Sequence, residues 1–224
     1  MYFALRSKTQ LNIGTSIMKS NILSIQFNND DTCTQVNECF LQNCSNFNTN
    51  LVLPSSVQII AGYFMDSCIN FNSSITLPTD LQQIYIEFMV DCTAFNQPLV
   101  LPYGLLRIGQ QFLMRCTSFN QDLTLPNSLD NNIWTQYGIG PDFMRYADGF
   151  HSTVNIGTIP ASRFYLATGA SDKIWAAKTP TAPAYVDGIK IVGTDVANLL
   201  IKFPPMNDNT PNNTGYRNLI NGNL

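Results

Sequence analysis

Six cysteines are the residues of this chain whose types and spacing could do chemistry, because thiolates attack electrophiles, bind zinc and pair as disulfides. Four of them, Cys44, Cys68, Cys92 and Cys116, follow one another at an interval of 24 residues. A constant interval indicates one structural position that is repeated with its side chains parallel. Parallel stacking places equivalent side chains about 4.8 Å apart, whereas a disulfide needs facing Cβ atoms about 3.8 Å apart. The interval favours a core row of free thiols, with disulfides as the alternative.

The remaining cysteines, Cys33 and Cys39, do not complete a metal site. No Cys-x-x-Cys pair occurs, and the chain contains one histidine. A conventional structural zinc site takes four Cys or His ligands in such pairs. The sequence therefore predicts no metal and no cofactor.

The single histidine, His151, is a candidate general base, because general-base catalysis most often uses histidine. It needs a nucleophile and an orienting carboxylate, and only Asp148 lies close in sequence. Asp66, Asp91 and Asp122 occupy different phases of the repeat, so they do not form the carboxylate pair of a glycosidase. Phosphate-loop, metalloprotease and nucleophile-elbow motifs are absent from the sequence. We predict no catalytic residue and no enzyme.

Four asparagines repeat at the same interval as the thiols: Asn48, Asn72, Asn96 and Asn120. Stacked side-chain amides can satisfy turn backbone groups and one another. We therefore interpret the asparagines, like the cysteines, as structural rows.

A nine-residue phrase carries these side chains and is written four times, as Phe40–Asn48, Phe64–Asn72, Phe88–Asn96 and Phe112–Asn120. One unit buries too little surface to fold alone, so neighbouring units must stack into a continuous core. The segment from Phe to Cys has apolar residues four apart and predicts one helical or 3-10 turn, since it is too short for a longer helix. The expected fold is mainly β with short helical turns.

Short apolar triplets between the phrases predict strands. They are Leu51–Leu53, Ile75–Leu77, Leu99–Leu101 and Leu123–Leu125, and each is followed by Pro, which cannot donate to a strand ladder. Strand alternation points the middle residue of each triplet outward. We expect one narrow parallel sheet whose outward column is Val52, Thr76, Val100 and Thr124, without aromatic residues that would anchor a partner. This column is the candidate binding face.

The phrase Leu-Pro-x-x-Leu-x-x-Ile-Gly-x-x-Phe-x-x-x-Cys-x-x-Phe, at Leu101–Phe119, resembles the BspA-type leucine-rich repeat of bacterial surface proteins. The Phe-Asn-Gln phrases at 95–97 and 119–121 are similar to those of mycoplasma-type and amoebal or giant-virus relatives. The resemblance covers about residues 33–126, with a degenerate unit at 143–156. It implies a right-handed leucine-rich-repeat solenoid of about five coils, used for binding or as a scaffold, and it brings no enzymatic residues.

On this basis the chain divides into an N-terminal cap (1–35), a solenoid (36–158) and a C-terminal region (159–224). In the cap, Leu23, Ile25 and Phe27 alternate with polar residues, which predicts a half-buried strand.

The later parts of the chain depart from the repeat. An insertion near 134–141 delays the fifth unit. In the C-terminal region, Asp187-Gly188 predicts a hairpin, 196–202 a short helix, and the residues after it an extended tail. We expect a small, irregular β/α region there.

The charge of the chain disfavours some classes of binding partner. Charged residues make up 12% of the chain and the formal net charge is −3, with scattered Lys and Arg. Nucleic acids require clustered cations, so they are disfavoured, as is an anionic membrane surface. No run reaches the roughly 20 apolar residues of a membrane helix, and the first residues lack the apolar core of a secretory signal. We expect a virion or cytoplasmic location, with the bacterial cell surface as the alternative, and no small-molecule ligand.

Two functions remain. The first is a non-catalytic structural or assembly protein, such as a phage or virus virion component, whose termini contact other proteins. The second is an adhesin-like module that binds a receptor or glycan through Val52, Thr76, Val100 and Thr124. We favour the assembly role because both termini contain irregular segments suited to protein contacts.

Overall fold

The computed structural model describes residues 10–11, 22–27, 33–131, 138–140, 143–144, 146–147, 149–150, 152–163 and 190–194. His151, Asp148, the Asp187-Gly188 turn, the predicted helix at 196–202 and the tail after it lie outside these residues. The strands are β1 Gln10–Leu11, β2 Gln35–Val36, β3 Leu51–Val52, β4 Ile59–Ile60, β5 Ile75–Thr76, β6 Gln83–Ile84, β7 Arg107–Ile108, β8 Leu123–Thr124, β9 Thr153–Gly157 and β10 Lys190–Gly193. Short 3-10 helices span Asn127–Asn131 and Ala161–Arg163.

We define repeats 1 to 4 as residues 33–56, 57–80, 81–104 and 105–128. Parallel strands join them in the order β1-β2-β4-β6-β7. Gln35 pairs with Ile59, Ile59 with Gln83, and Gln83 with Arg107. The register therefore advances by one whole repeat at each step, and the fold is a β-rich stack of repeats.

This five-stranded sheet lies where the sequence predicted no strand. The second residue of each pair is buried, as Val36, Ile60, Ile84 and Ile108 show. A strand of two residues is too short to display the alternation from which strands are recognised.

The predicted sheet of four apolar triplets is interrupted. β3 pairs with β5, and β8 pairs with β9, but Leu99–Val100 forms no strand in the described structure. The expectation of one continuous sheet on this side of the stack was wrong.

Pro98 explains the interruption. At the equivalent positions a polar side chain accepts a backbone N–H from the next repeat: Asn50 Oδ1 accepts from Ser74 at 3.3 Å, and Asp122 Oδ1 accepts from Thr153 at 2.8 Å. Proline has neither an N–H nor a side-chain acceptor, so it breaks this row on both sides.

Two rows of phenylalanine fill the core. Neighbouring rings stack nearly parallel with centroids 5.0 to 5.8 Å apart. The first row is Phe40, Phe64, Phe88, Phe112 and Phe143, and the second is Phe47, Phe71, Phe95, Phe119 and Phe150. The residue after each first-row Phe is also fully buried, namely Leu41, Met65, Met89, Leu113 and Met144. This last core position was missed because neighbouring apolar residues fit neither period.

The segment from Phe to Cys is a turn and not the helical or 3-10 turn that was expected. Non-glycine residues with left-handed φ stand on both sides of its first three residues, as Tyr63 (φ 59) and Ser67 (φ 62) do in repeat 2. Their N–H groups donate to the next repeat, at 2.9 Å to Ile86 O and 2.8 Å to Val90 O. One bond closes each turn internally, from Cys68 N–H to Met65 O at 3.2 Å in repeat 2, and the bonds between repeats hold the rest of the segment.

The N-terminal side of the stack differs from the predicted alternation. Ile22 and Ile25 are buried, whereas Leu23 is 56% exposed. Burial at a spacing of three does not fit a period-two strand, so the inward assignment of Leu23 was wrong. Phe27 stacks on Phe40 at 6.3 Å and extends the first ring row.

β10 closes the other end of the described structure. It pairs parallel with β9, which pairs parallel with β8. Residues 190–193 therefore join the sheet started by the repeats, a parallel pairing that the hairpin signal did not predict.

No helix of the described residues is both long and apolar enough to cross a membrane.

Candidate functional site

The candidate binding face is the column predicted from the triplets. Val52 is 60% exposed and Val100 is 77% exposed, and Thr76 and Thr124 are also exposed. Each is held outward because its neighbours are buried, as Leu51 and Leu53 are around Val52. The structure places all four residues outward, and their role in binding stays a prediction.

Three of these four residues lie on paired strands, and Val100 does not. Val52 and Thr76 are paired partners in β3 and β5, and Thr124 pairs with Asn155 of β9. Val100 lies between the two sheets on the segment that follows Pro98. The binding face is therefore two short sheets with an irregular strip between them.

Tyr103 is a further exposed residue near this face that the sequence reasoning missed. Its side chain is 81% exposed, more than any other large hydrophobic residue of the described structure. The equivalent residues are Ser55, Thr79 and Asn127. The column itself carries no aromatic residue, and comparing residues across repeats at the position after Pro102 would have identified Tyr103.

The asparagine row lies next to the face and is hydrogen-bonded from repeat to repeat. Asn72, Asn96 and Asn120 each donate their backbone N–H to the side-chain oxygen of the preceding asparagine, at 2.8 to 2.9 Å. The same oxygens accept a second bond, for example from Gln121 Nε2 to Asn96 Oδ1 at 3.1 Å. The amide oxygens are thus engaged in stacking.

The cysteine row is buried, and its cysteines form no disulfides. Three thiols donate to a carbonyl of the preceding repeat, at 3.0 Å from Cys68 to Leu41, 3.0 Å from Cys92 to Met65 and 2.9 Å from Cys116 to Met89. Cys44 instead contacts Gln42 O of its own repeat at 3.9 Å.

Thiolate chemistry is suppressed along this row. Burial raises the pKa of Cys92 and Cys116 above the ordinary value of 9.0. For Cys68 the contact with Cys44 lowers the pKa, but the contact with Cys92 and burial together raise it well above that value. Nucleophilic and metal-binding thiols need the opposite shift.

Charged side chains gather on the turn side of repeats 2 to 4. Arg115 binds the carboxylate of Asp91 with two bonds of 2.6 Å, and Asp66 accepts a bond of 2.9 Å from Gln42 Nε2. Burial and then the charge of Asp66 raise the pKa of Glu87, which Arg115 partly offsets. No group of three potential metal ligands occurs among the described residues.

One cation lies over an aromatic ring on the five-stranded sheet. The guanidinium carbon of Arg107 is 4.7 Å from the ring centroid of Tyr85, a cation–π distance. This contact joins repeats 3 and 4 across the outside of the sheet.

Comparison with known proteins adds little to this geometry. A family described as "Protein of unknown function (DUF705)" matches residues 4–100, less than half of the chain. No curated protein matches. A crystal structure of a T. pallidum leucine-rich repeat protein (TpLRR) is 27% identical with a TM-score of 0.48, over 55% of this chain and 52% of that one. The chain thus spans about half the length of that structure. So low a TM-score does not establish a shared fold, and the repeat stack rests on the strand register described above.

Proposed function

We propose that this chain is a non-catalytic structural or assembly protein. In this proposal a right-handed, BspA-type leucine-rich-repeat solenoid of about five coils is the scaffold. The regions 1–35 and 159–224 contact other proteins, and the assembly is a phage or virus particle.

The observation that supports the proposal is the use of the repeated polar groups. The amide oxygens of Asn48, Asn72 and Asn96 and the thiols of Cys68, Cys92 and Cys116 all form hydrogen bonds between repeats. Side chains that could act on a substrate hold neighbouring repeats together instead. Such bonding suits a rigid spacer.

The experiment that tests the proposal measures the mass of the full chain by light scattering after size exclusion, with and without residues 206–224. Circular dichroism of both forms checks that the repeat stack remains folded. We expect the full chain to form oligomers and the shortened chain to associate more weakly while keeping its spectrum. A full chain that stays monomeric over the whole accessible concentration range, and that enters no particle, contradicts the assembly role.

A second function, an adhesin-like module, is favoured by one observation, the exposed aliphatic residues Val52 and Val100 on the binding face. If the chain binds cells or glycans through this face, Val100→Asp should abolish binding on a glycan array. Ser55→Asp, at an exposed position outside the column, is the matched control. Equal binding by both variants contradicts this function.

A further inference from the structure

Repeat 3 departs from its neighbours at three outward positions, two on the triplet segment and one on the turn that follows it. Repeat 3 carries Pro98, Val100 and Tyr103, all exposed. The same positions carry Ser74, Thr76 and Thr79 in repeat 2, and Asp122, Thr124 and Asn127 in repeat 4. An apolar strip thus crosses the face between two polar repeats. We call Pro98, Val100 and Tyr103 the repeat-3 strip.

The strip is not explained by the packing of the stack. Its side chains point outward, with Val100 77% and Tyr103 81% exposed. Repeats 2 and 4 stack in the same register with polar residues at these positions, so the fold does not require apolar ones. Pro98 also removes a bond that joins repeats elsewhere, at a cost in stability. Apolar side chains that face solvent, with a proline that weakens the stack beside them, are typical of a contact surface.

The surroundings of the strip are acidic. Asp80 lies on the turn adjacent to Tyr103, since a Cβ on Gly104 would lie 3.8 Å from Thr79 O. Asp122 occupies the position of Pro98 in the next repeat, and both carboxylates are exposed. Acidic residues also outnumber basic ones throughout residues 33–131, where the acids are Glu38, Asp66, Asp80, Glu87, Asp91, Asp122 and Asp130, and the bases are Arg107 and Arg115. The strip therefore fits a partner with large apolar side chains beside cations.

The chain itself contains a segment of this chemistry. Residues 1–9 read Met-Tyr-Phe-Ala-Leu-Arg-Ser-Lys-Thr, and no acidic residue precedes Asp30. Tyr2, Phe3 and Leu5 match the apolar strip, and Arg6 and Lys8 match the flanking carboxylates. We propose that residues 1–9 of one copy dock on the repeat-3 strip of a second copy and so link copies head to tail. The proposal rests on the assembly role proposed above.

The register of β1 favours a second copy over the same chain. β1 is the edge strand next to β2, and four strand spacings separate it from β7, which Tyr103 shortly precedes. Four spacings amount to about 19 Å. The five residues Leu5 to Thr9 span at most about 18 Å when fully extended. The backbone from Leu5 to Lys8 therefore stays short of β7 and only residues 1–4 extend past it, so residues 1–9 can align as a whole with the strip only on a second copy.

The test uses a fluorescein-labelled peptide of residues 1–9, titrated into the full chain and followed by anisotropy, alongside sedimentation velocity of the full chain alone. The test variant is Val100→Thr with Tyr103→Thr, which installs the residues that repeat 2 carries at these positions. The control is Val52→Thr, the same change at an exposed valine of repeat 1. We expect the double variant to weaken both peptide binding and self-association by at least about tenfold. The control should leave both unchanged.

Every other outcome contradicts the docking site, the second copy as occupant, or the assembly role. If the peptide does not bind, binds both variants alike, or binds no better than a scrambled peptide, the docking on the strip is wrong. Self-association of the full chain would then still support the assembly role. The peptide could bind only to a chain that lacks residues 1–9, while the full chain stays monomeric. Residues 1–9 would then occupy the strip of their own chain, and the proposal of a second copy as occupant would be wrong. If the full chain is monomeric, enters no particle and gains no peptide binding when residues 1–9 are deleted, the assembly role fails as well.

Discussion

Cys92 shows how a reactive residue type takes a structural role through its surroundings. Its thiol is buried between Cys68 and Cys116 and donates to Met65 O. The 24-residue interval was enough to predict the row of free thiols over disulfides, because parallel side chains do not face one another. The carbonyl that each thiol bonds could not be predicted, since it depends on how the turn of the preceding repeat orients its backbone.

The buried thiols should make the free energy of unfolding depend on pH in the alkaline range. The pKa values of Cys68, Cys92 and Cys116 are raised in the folded chain, so these thiols keep their protons above pH 9.0 while unfolded thiols ionise. The unfolded state then binds fewer protons, and the unfolding free energy falls as pH rises above about 9 by up to about 1.4 kcal/mol per pH unit for each thiol. Urea unfolding at pH 7.5, 9 and 10 measures the slope.

Cys92→Ala tests the assignment of that slope. Alanine fits the position, because Ala147 occupies the equivalent place and is fully buried. The variant should lose one thiol's share of the pH slope while remaining folded at pH 7.5. An unchanged slope would show that the thiols do not cause it.

Asn96→Ala should lower the unfolding free energy by about 1–2 kcal/mol. The substitution leaves Asn120 N–H and Gln121 Nε2 without the oxygen that accepts both, at 2.8 and 3.1 Å. Denaturant unfolding at neutral pH measures the loss. Asn96→Asp keeps an oxygen acceptor and should recover most of the stability. If the alanine variant is as stable as the natural chain, the asparagine row contributes nothing to stacking.

At the scale of elements, the close approach of neighbouring repeats is visible at Gly109. A Cβ at this position would lie 2.6 Å from both Ile86 N and Tyr85 O, which are backbone atoms that cannot move aside. Gly109→Ala should therefore destabilise the chain by about 1–3 kcal/mol. Differential scanning calorimetry measures the shift in the melting temperature.

Gly104→Ala is the matched control. Its added Cβ would stand 3.8 Å from Thr79 O, an ordinary contact distance. The melting temperature of this variant should stay close to that of the natural chain. Equal losses for the two substitutions would mean that the crowding at Gly109 is not what makes alanine costly.

Elements were predicted from the sequence only where they repeat a recognisable period. Leu51–Val52 and Ile75–Thr76 were expected as strands because apolar residues alternate around an exposed one. β4 and β6 were missed, since pairing with the next repeat, and not a local period, makes them strands. The strand predicted at Leu99–Val100 does not form, because Pro98 has no N–H to donate to the neighbouring repeat.

At the scale of the whole molecule, the rings couple the repeats to one another. Phe88 stacks between Phe64 at 5.2 Å and Phe112 at 5.0 Å, whereas Phe150 has one described ring neighbour, Phe119 at 5.8 Å. Phe88→Ala should cost about 3–5 kcal/mol, because it opens a cavity that two neighbours line. Phe150→Ala should cost less.

Hydrogen exchange measures this difference by position. In the natural chain we expect the slowest amides in β4, the central strand of the five-stranded sheet, and in its neighbours β2 and β6. Phe88→Ala should accelerate exchange in both neighbouring repeats, and Phe150→Ala only near β8 and β9. Uniform acceleration by both variants would contradict a stack in which each repeat contacts its neighbours alone.

The overall organisation was predictable to the extent that it repeats. The phrases from Phe40 to Asn120 predicted the stack, its register and its rows of cysteine and asparagine. The irregular parts gave no such guide: the parallel pairing of β10 with β9 joins residues 190–193 to 153–157 across a long separation in sequence. The hairpin, helix and tail predicted after Ile159 lie largely outside the described residues and stay predictions, as does the division into three regions.

The direction of the hydrogen bonds between repeats has a mechanical consequence. Leu41 N donates to Phe64 O, Met65 N to Phe88 O, and Met89 N to Phe112 O, so these bonds all run along the stack. A force that pulls the two ends apart loads them one after another, as in a zipper. Stretching a single molecule should detach one repeat at a time, and each release of 24 residues should lengthen it by about 80 Å. A chain joined in this way would yield to tension in small, even steps.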